Sequence, residues 1–380
     1  MRKTDRLARH VLGALAILGI ALLACVSTGI GLTGAGGVAG VESAPQAGGQ
    51  PSILEPTPIP TNTPRPPAAF GHIAFVSNRD GSRGIYVMTA NGDQQIRLSN
   101  GDSEDGMPRW SPDESRIAYV AMMDDNSDIY VMDANGGNLQ RLTAHPSKDS
   151  SPSWSPDGSQ IAFETFRDDN FEIYVMNADG SNAMRLTVNP AGDTGPAWSP
   201  VDRRIAFVSD RNGNADIFLI NPDGSGLVQL TDTIRPESDP VWSPDGSRIA
   251  FREWPSTDAA NICLINVDGS DHRCLTEDQV ENGTPAWSPD GDWLAFRSPR
   301  GGIPTIDLVS VDGETRRSLI TGVPPKGDPV WSPDGWRLAF QADANGDMEI
   351  FTIVTFSANN ELIRLTNITA YDGEPAWTAR

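Results

Sequence analysis

The residues able to do chemistry in this chain are few, and their spacing is regular. Five carboxylates, Asp105, Asp149, Asp193, Glu237 and Asp372, each stand five residues before a tryptophan, and Asn282 and Lys326 take the same place before two others. Carboxylates brought near one axis could hold a cation or a basic peptide. Histidines at 72, 145 and 272 could bind a metal only if the fold gathered them. The cysteines are Cys25, Cys263 and Cys274. No G-x-S-x-G nucleophile elbow occurs, so there is no signature of a serine hydrolase.

The elements that must position these residues repeat. Tryptophans at 110, 154, 198, 242, 287, 331 and 377 mark a unit of about 44 residues. Seven residues after each of the first six comes an aliphatic residue: Ile117, Ile161, Ile205, Ile249, Leu294 and Leu338. Another follows at Ile129, Ile173, Ile217, Ile262, Ile306 and Ile350, and a leucine closes each unit 12 residues before the next tryptophan. Each unit holds four short segments, reading like "PAW", "RIAFVS", "DIYVMNADG" and "RLT". Alternating apolar residues rich in β-branched and aromatic types predict strands. Ser-Pro-Asp-Gly predicts a type I turn, and Asp-Gly a hairpin between third and fourth strands. No segment carries a helical period.

Seven four-stranded antiparallel units predict an all-β, seven-bladed β-propeller. The array opens on a second-strand segment at Ile73 and ends on an inner-strand segment at Trp377. The C-terminal strand is therefore expected to join the N-terminal blade and close the ring, leaving no open sheet edge. Tryptophan is expected to wedge between neighbouring sheets, and the alanine of Ile-Ala-Phe to let the next sheet approach.

The repeat distributes the candidate residues. His72 falls at the start of a second strand, His145 in a loop between blades and His272 in an outer hairpin, so the three cannot meet and no metal site is expected. With Asp268-Gly269 as a two-residue turn, Cys263 and Cys274 face each other across one hairpin, and a disulfide is expected. That register makes them a hydrogen-bonded pair, whose Cα atoms lie farther apart than those of the alternate pairs. The carboxylates before the tryptophans fall in loops entering the inner strands. The loops between second and third strands open on the same face, and most are rich in acids or amides. Arg297, Arg300 and Lys326 interrupt this acidic funnel with a basic notch. The other reading of these acids is that they cap turns and bind strand ends. "DANGDME" spaces its oxygens as calcium loops do but is too short for one, and reads as a hairpin turn.

Outside the repeat, residues 1–25 carry Arg2, Lys3, Arg6 and Arg9, then an apolar run, then Cys25. This is the pattern of an export signal. Leu22-Leu23-Ala24-Cys25 resembles the bacterial lipobox, whose cysteine takes lipid. An uncleaved membrane anchor is the second reading, since 11–32 is long enough to span a bilayer. Residues 26–69 are Gly-rich and then Pro-rich, a linker with no apolar period to bury. Residues 70–380 form the propeller. The chain of 380 residues has 29 Lys+Arg against 50 Asp+Glu, a net charge of −21. That balance excludes nucleic acid as a partner, because phosphate binding needs a basic face.

The units resemble the TolB-like, WD40-like (PD40) propeller repeats, on the pattern "PxWSPDGxxIAFxS…DIYVMxxDGxxxxRLT" from Gly71 to Trp377. Trp198-Ser199-Pro200-Val201-Asp202 and Trp377-Thr378-Ala379 depart from it. TolB itself has six blades and a further α/β domain, where this chain has seven blades and a linker. The resemblance implies an extracytoplasmic binding scaffold, and the lipobox-like Cys25 adds the expectation that lipid holds it at the membrane. The expectation is a monomeric scaffold without cofactor or catalysis that binds a protein or peptide of the cell envelope through its acidic face. A carbohydrate-active propeller is the alternative.

Overall fold

The computed structural model describes residues 71–302, 304–319, 321–357 and 360–378. The lipobox with Cys25, the export signal and the whole linker lie outside the described residues. Seven four-stranded antiparallel sheets follow one another. In the first blade the inner strand is Asp372–Trp377, followed outward by His72–Ser77, Gly84–Thr89 and Ile96–Arg97. Ile73 pairs with Trp377 and Ala74 with Ala376, so the last strand closes the ring as its sequence position requires. The second to seventh blades begin with inner strands ending at Trp110, Trp154, Trp198, Trp242, Trp287 and Trp331.

The core is the set of interfaces between blades. One layer joins Ala162, Ile173, Val175 and Leu186 of the third blade to Trp198, Ile205, Phe207 and Phe218 of the fourth. The ring-closing layer joins Ile73, Phe75, Tyr86 and Trp377 to Ala339, Ile350 and Leu365 of the seventh. Each blade thus shows aromatic and branched residues on one side and Ala with branched aliphatics on the other. No sheet could bury both faces alone.

The tryptophans also latch the blades. The indole N–H of Trp110 donates to the Ala376 carbonyl at 3.0 Å, Trp154 to Arg109 at 3.1 Å, Trp242 to Ala197 at 2.9 Å, Trp287 to Val241 at 3.0 Å and Trp331 to Ala286 at 2.9 Å. Each acceptor belongs to the inner strand of the preceding blade. Trp198, in the blade whose Ser-Pro-Asp-Gly becomes Ser-Pro-Val-Asp, leaves its indole N–H without a partner. Its backbone N–H donates to Ser153 Oγ of the preceding blade at 3.0 Å.

The outer hairpin differs from expectation. Gly269 N–H donates to the Asn266 carbonyl at 2.9 Å, and Asn266 N–H to the Ser270 carbonyl at 2.9 Å. Gly269 has φ +85° and Asp271 φ +54°. This is a type I turn with two bulge residues rather than a two-residue turn. Cys263 still opposes Cys274. The bulges reverse the hydrogen-bond phase, however, because Leu275 N–H donates to the Ile262 carbonyl. The cysteines therefore form the close, non-hydrogen-bonded kind of pair, with Cα atoms 3.8 Å apart, and they are joined as a disulfide.

Candidate functional site

The loops entering the inner strands and the loops between second and third strands share one end of the ring, around the mouth of its channel. The five carboxylates are held there, but their placement corrects the expectation of a solvent-facing ring. Asp105, Asp149, Asp193, Glu237 and Asp372 are all buried, none more than 1% exposed. Three are neutralised within their own blade. Arg79 grips both oxygens of Asp372 at 3.0 and 3.1 Å, Arg211 both oxygens of Asp193 at 3.0 Å, and Arg167 meets Asp149 at 3.0 Å.

These arginines are the residues that sequence reasoning missed. Each comes two positions after the end of the second strand, in Ser77-Asn78-Arg79, Thr165-Phe166-Arg167 and Ser209-Asp210-Arg211. The strand-end hydroxyl accepts the guanidinium Nε–H at 2.8, 3.0 and 2.8 Å. The guanidinium lies over an aromatic pair, as Arg167 does at 4.6 Å from the Tyr174 ring centre and 5.6 Å from that of Phe163. The recurring [ST]-x-R after Ile-Ala-Phe was the available signal.

In the second and fifth blades Met123 and Pro255 stand in place of that arginine. Asp105 there accepts from Ser103 Oγ at 2.5 Å, and its Oδ2 is without a partner. Burial raises its pKa. Glu237 is bonded by Thr231 and, at 3.2 Å, by Thr233. Burial pushes its pKa up to about 7, with the negative charges of Asp216 and Glu253 adding to the shift.

A second tier lies two residues further along the inner strands, closer to the axis. Met107, Ser151, Gly195, Asp239 and Glu374 all have positive φ, between 51° and 62°, at a bulge repeated in five blades. The bulge turns side chains and backbone N–H groups inward. Glu374 Oε2 accepts the Met107 N–H of the next blade at 2.7 Å, Glu164 Oε2 the Gly195 N–H at 2.8 Å, and Gln341 Oε1 the Glu374 N–H at 2.7 Å. Asp328 accepts the Thr284 N–H at 3.1 Å. Arg252 holds Asp239 at 2.6 Å. Gly283 lets Asp328 approach, because a Cβ there would stand 2.1 Å from Asp328 Oδ1 and push that carboxylate away. The protein packed around Asp328 raises its pKa, against the pull of Arg252 and Arg297.

The mouth is thus a mixed-charge surface. Arg252 faces Asp239 and Asp328, Arg297 also acts on Asp328, Arg83 lies 3.9 Å from Glu374, and Glu164 is held by Ser150, Ser151 and the Gly195 N–H. Of the expected basic notch, Arg297 belongs to this group, Arg300 is half exposed beside Asp307 at 3.8 Å, and Lys326 is exposed on the loop entering the seventh blade. Around the same end, apolar side chains stand in solvent. Met123 is 48% exposed, Phe166 45%, Val188 75% and Ile234 96%. Met123 ends the second strand of the second blade, Phe166 follows that of the third, and Val188 and Ile234 lie on the loops that lead into the fourth and fifth blades. His72, His145 and His272 lie in separate parts of the ring, as their repeat positions require.

The TolB beta propeller domain model (PD40) matches residues 46–168 and 107–323. No curated protein sequence matches the chain. Among solved structures, the chain is similar to TolB from Acinetobacter baumannii, with 24% identity and a TM-score of 0.56, over 69% of this chain and 66% of that one. It therefore spans just under two thirds of that protein. It is also similar to oligogalacturonate lyase from Vibrio parahaemolyticus, with 16% identity and a TM-score of 0.63, over 76% and 87% of the two chains. A prolyl endopeptidase structure matches at 11% identity and a TM-score of 0.62, over 81% of this chain and 49% of that one. At these identities the solved structures speak for the fold alone. The family model, spanning most of the chain and every inner-strand tryptophan from Trp110 to Trp287, makes it a member of the TolB β-propeller family.

Proposed function

We propose that the chain is an extracytoplasmic, lipid-anchored scaffold that binds a protein partner at the channel-mouth end of its propeller. One observation carries the reading: the exposed apolar side chains Met123, Phe166, Val188 and Ile234 stand at that end on consecutive blades, beside the mixed charge of the mouth. Exposed apolar residues gathered beside polar groups are the usual composition of a protein-binding surface. With Asp149, Asp193 and Asp372 neutralised from within, the paired charges at the axis supply register, and the apolar rim supplies contact area. The neighbouring enzymes prompt the alternative of a polysaccharide-acting propeller. The dispersal of the three histidines argues against a histidine-built metal centre at the mouth, and the carboxylates there are already engaged by backbone N–H groups and arginines.

The test is cross-linking in intact cell envelopes, comparing the native chain with a Phe166→Ser/Val188→Ser/Ile234→Ser variant. All three residues are exposed, so the fold should be unchanged. The variant should lose the cross-linked partner at least tenfold. Equal capture by both chains would move the binding surface to another face.

A further inference from the structure

The fifth blade departs from the other six in one place. At four positions on its outer side the repeat is abandoned together. Where the other blades carry Ser77, Ala121, Thr165, Ser209, Ser298 and Ala342, this blade has Glu253. Where five others carry Tyr86, Tyr130, Tyr174, Phe218 and Phe351, it has Cys263. Where four carry Arg97, Arg141, Arg185 and Arg364, it has Cys274. His272 stands two residues before Cys274, where no other blade has a histidine. The acid–arginine pair seen as Asp128–Arg141, Glu172–Arg185 and Glu349–Arg364 is lost from both sides at once, since Asn261 and Cys274 replace its members.

The four substituted side chains converge. One ligand atom from each of Glu253, Cys263, His272 and Cys274 lies within 4.8 Å of all the others. His272 Nε2 is 3.6 Å from Glu253 Oε2, and Cys274 Sγ is 3.8 Å from Glu253 Oε1. Cys263 is fully buried and Glu253 is 4% exposed. Arg235 holds Glu253 Oε1 at 2.7 Å and leaves Oε2 toward the histidine. Two sulfurs, one imidazole nitrogen and one carboxylate oxygen are a zinc donor set, and Arg235 is placed as the outer partner that orients the carboxylate. The charges also balance. Zinc with two thiolates and a carboxylate carries −1, which the Arg235 guanidinium offsets, with Glu253 and Cys263 buried and His272 on the solvent side.

We propose that the fifth blade carries a redox-gated zinc site. With the disulfide formed, the sulfurs cannot act as thiolate ligands. A dithiol reductant supplies two electrons and two protons, becomes a disulfide itself and leaves Cys263 and Cys274 as thiols. Zinc then displaces both protons to solvent and forms two Zn–S bonds. With Zn–S of about 2.3 Å, a tetrahedral ion needs its sulfurs about 3.8 Å apart. Side-chain rotation about two directly opposed Cβ atoms reaches that separation without moving the strands. Cys263 and Cys274 belong to third and outer strands that stay paired at Leu264–Arg273.

The full chain, purified in detergent, is reduced with dithiothreitol, freed of reductant without air and titrated with Zn²⁺ against a chromophoric chelator. Co²⁺ in a parallel titration reports thiolate ligation by its charge-transfer band. The reduced chain should bind one equivalent and the oxidised chain none. Glu253→Gln and His272→Ala should each weaken binding about tenfold or more while leaving the Co²⁺ charge-transfer band visible at saturation. Cys263→Ser/Cys274→Ser, which removes the site and keeps two small side chains, gives the background from Cys25 and the surface. Binding by the reduced chain no greater than that background would overturn the proposal. So would equal affinity of the Glu253 and His272 variants with the native chain, or unfolding of the reduced chain before metal is added.

Discussion

The buried carboxylates are best judged one side chain at a time. Asp149 is fully buried, and Arg167, 18% exposed, is its counter-ion. Arg167→Met strands the carboxylate and should lower stability by about 3–5 kcal/mol, whereas Asp149→Asn with Arg167→Met should recover most of the loss. Denaturant midpoints of the three chains decide this, and equal midpoints for the single and double variants would show that Asp149 does not depend on its arginine. Glu237 has no such partner. Its pKa is raised from 4.5 to about 7 in the folded chain, so between those values the folded state holds more protons than the unfolded one. Its contribution to stability is complete below about 4.5 and is lost as pH rises through 7. Thermal midpoints of the native chain should therefore fall from pH 5 to pH 8 by more than those of Glu237→Gln. Parallel pH profiles would place the titration elsewhere.

Each element depends on the next because the blades are held by latches between inner strands. Trp242→Phe keeps the ring in the interface and removes the indole bond to the Ala197 carbonyl. The half-buried carbonyl, still paired with Ala206 across the strands, loses its second donor, at a cost of about 0.5–1.5 kcal/mol. The same change at Trp198, whose indole N–H is already unpartnered, should cost clearly less. Similar losses at both sites would mean that packing rather than the latch explains the role of the tryptophan. The hairpin of the fifth blade makes a related point. Two bulge residues set the phase that brings Cys263 and Cys274 together as a close pair, so deleting Asp271 should push the cysteines out of opposition. Thiol titration of the unfolded, unreduced variant should then detect two more free thiols than in the native chain.

Closure belongs to the whole molecule. Removing residues 372–380 takes the inner strand from the first blade, with Trp377 and the Asp372 that holds Arg79. It exposes the edge of His72–Ser77 and opens the ring-closing layer at Ile73, Phe75 and Ala339. The truncated chain should lose its single cooperative transition or aggregate, and an unchanged calorimetric profile would show that the ring stands without its last strand. The proposed lipid anchor at Cys25 is separable from this. Cys25→Ala should abolish incorporation of labelled fatty acid while leaving the melting of the propeller untouched.

The blade count, strand order, ring closure and the pairing of Cys263 with Cys274 were legible in the sequence, because they follow from spacing along the chain. Seven tryptophans in register with their aliphatic partners admit one stacking, and terminal segments that lack each other's strands admit one closure. The fate of the carboxylates was not legible. Whether Asp149 faces water or an arginine depends on Arg167 folding back from a loop 18 residues away, and Asp105 and Asp149 read alike in the sequence although only one has such a partner. The convergence of Glu253 and His272 on the cysteines was also hidden, because Glu253 lies on the second strand and His272 in the hairpin before the outer strand, and the two meet only through the fold of that hairpin. Periodicity fixes where backbones run. Which side chains share a charge or a ligand sphere depends on angstrom-scale approach between segments distant in sequence, and only the tertiary structure sets that.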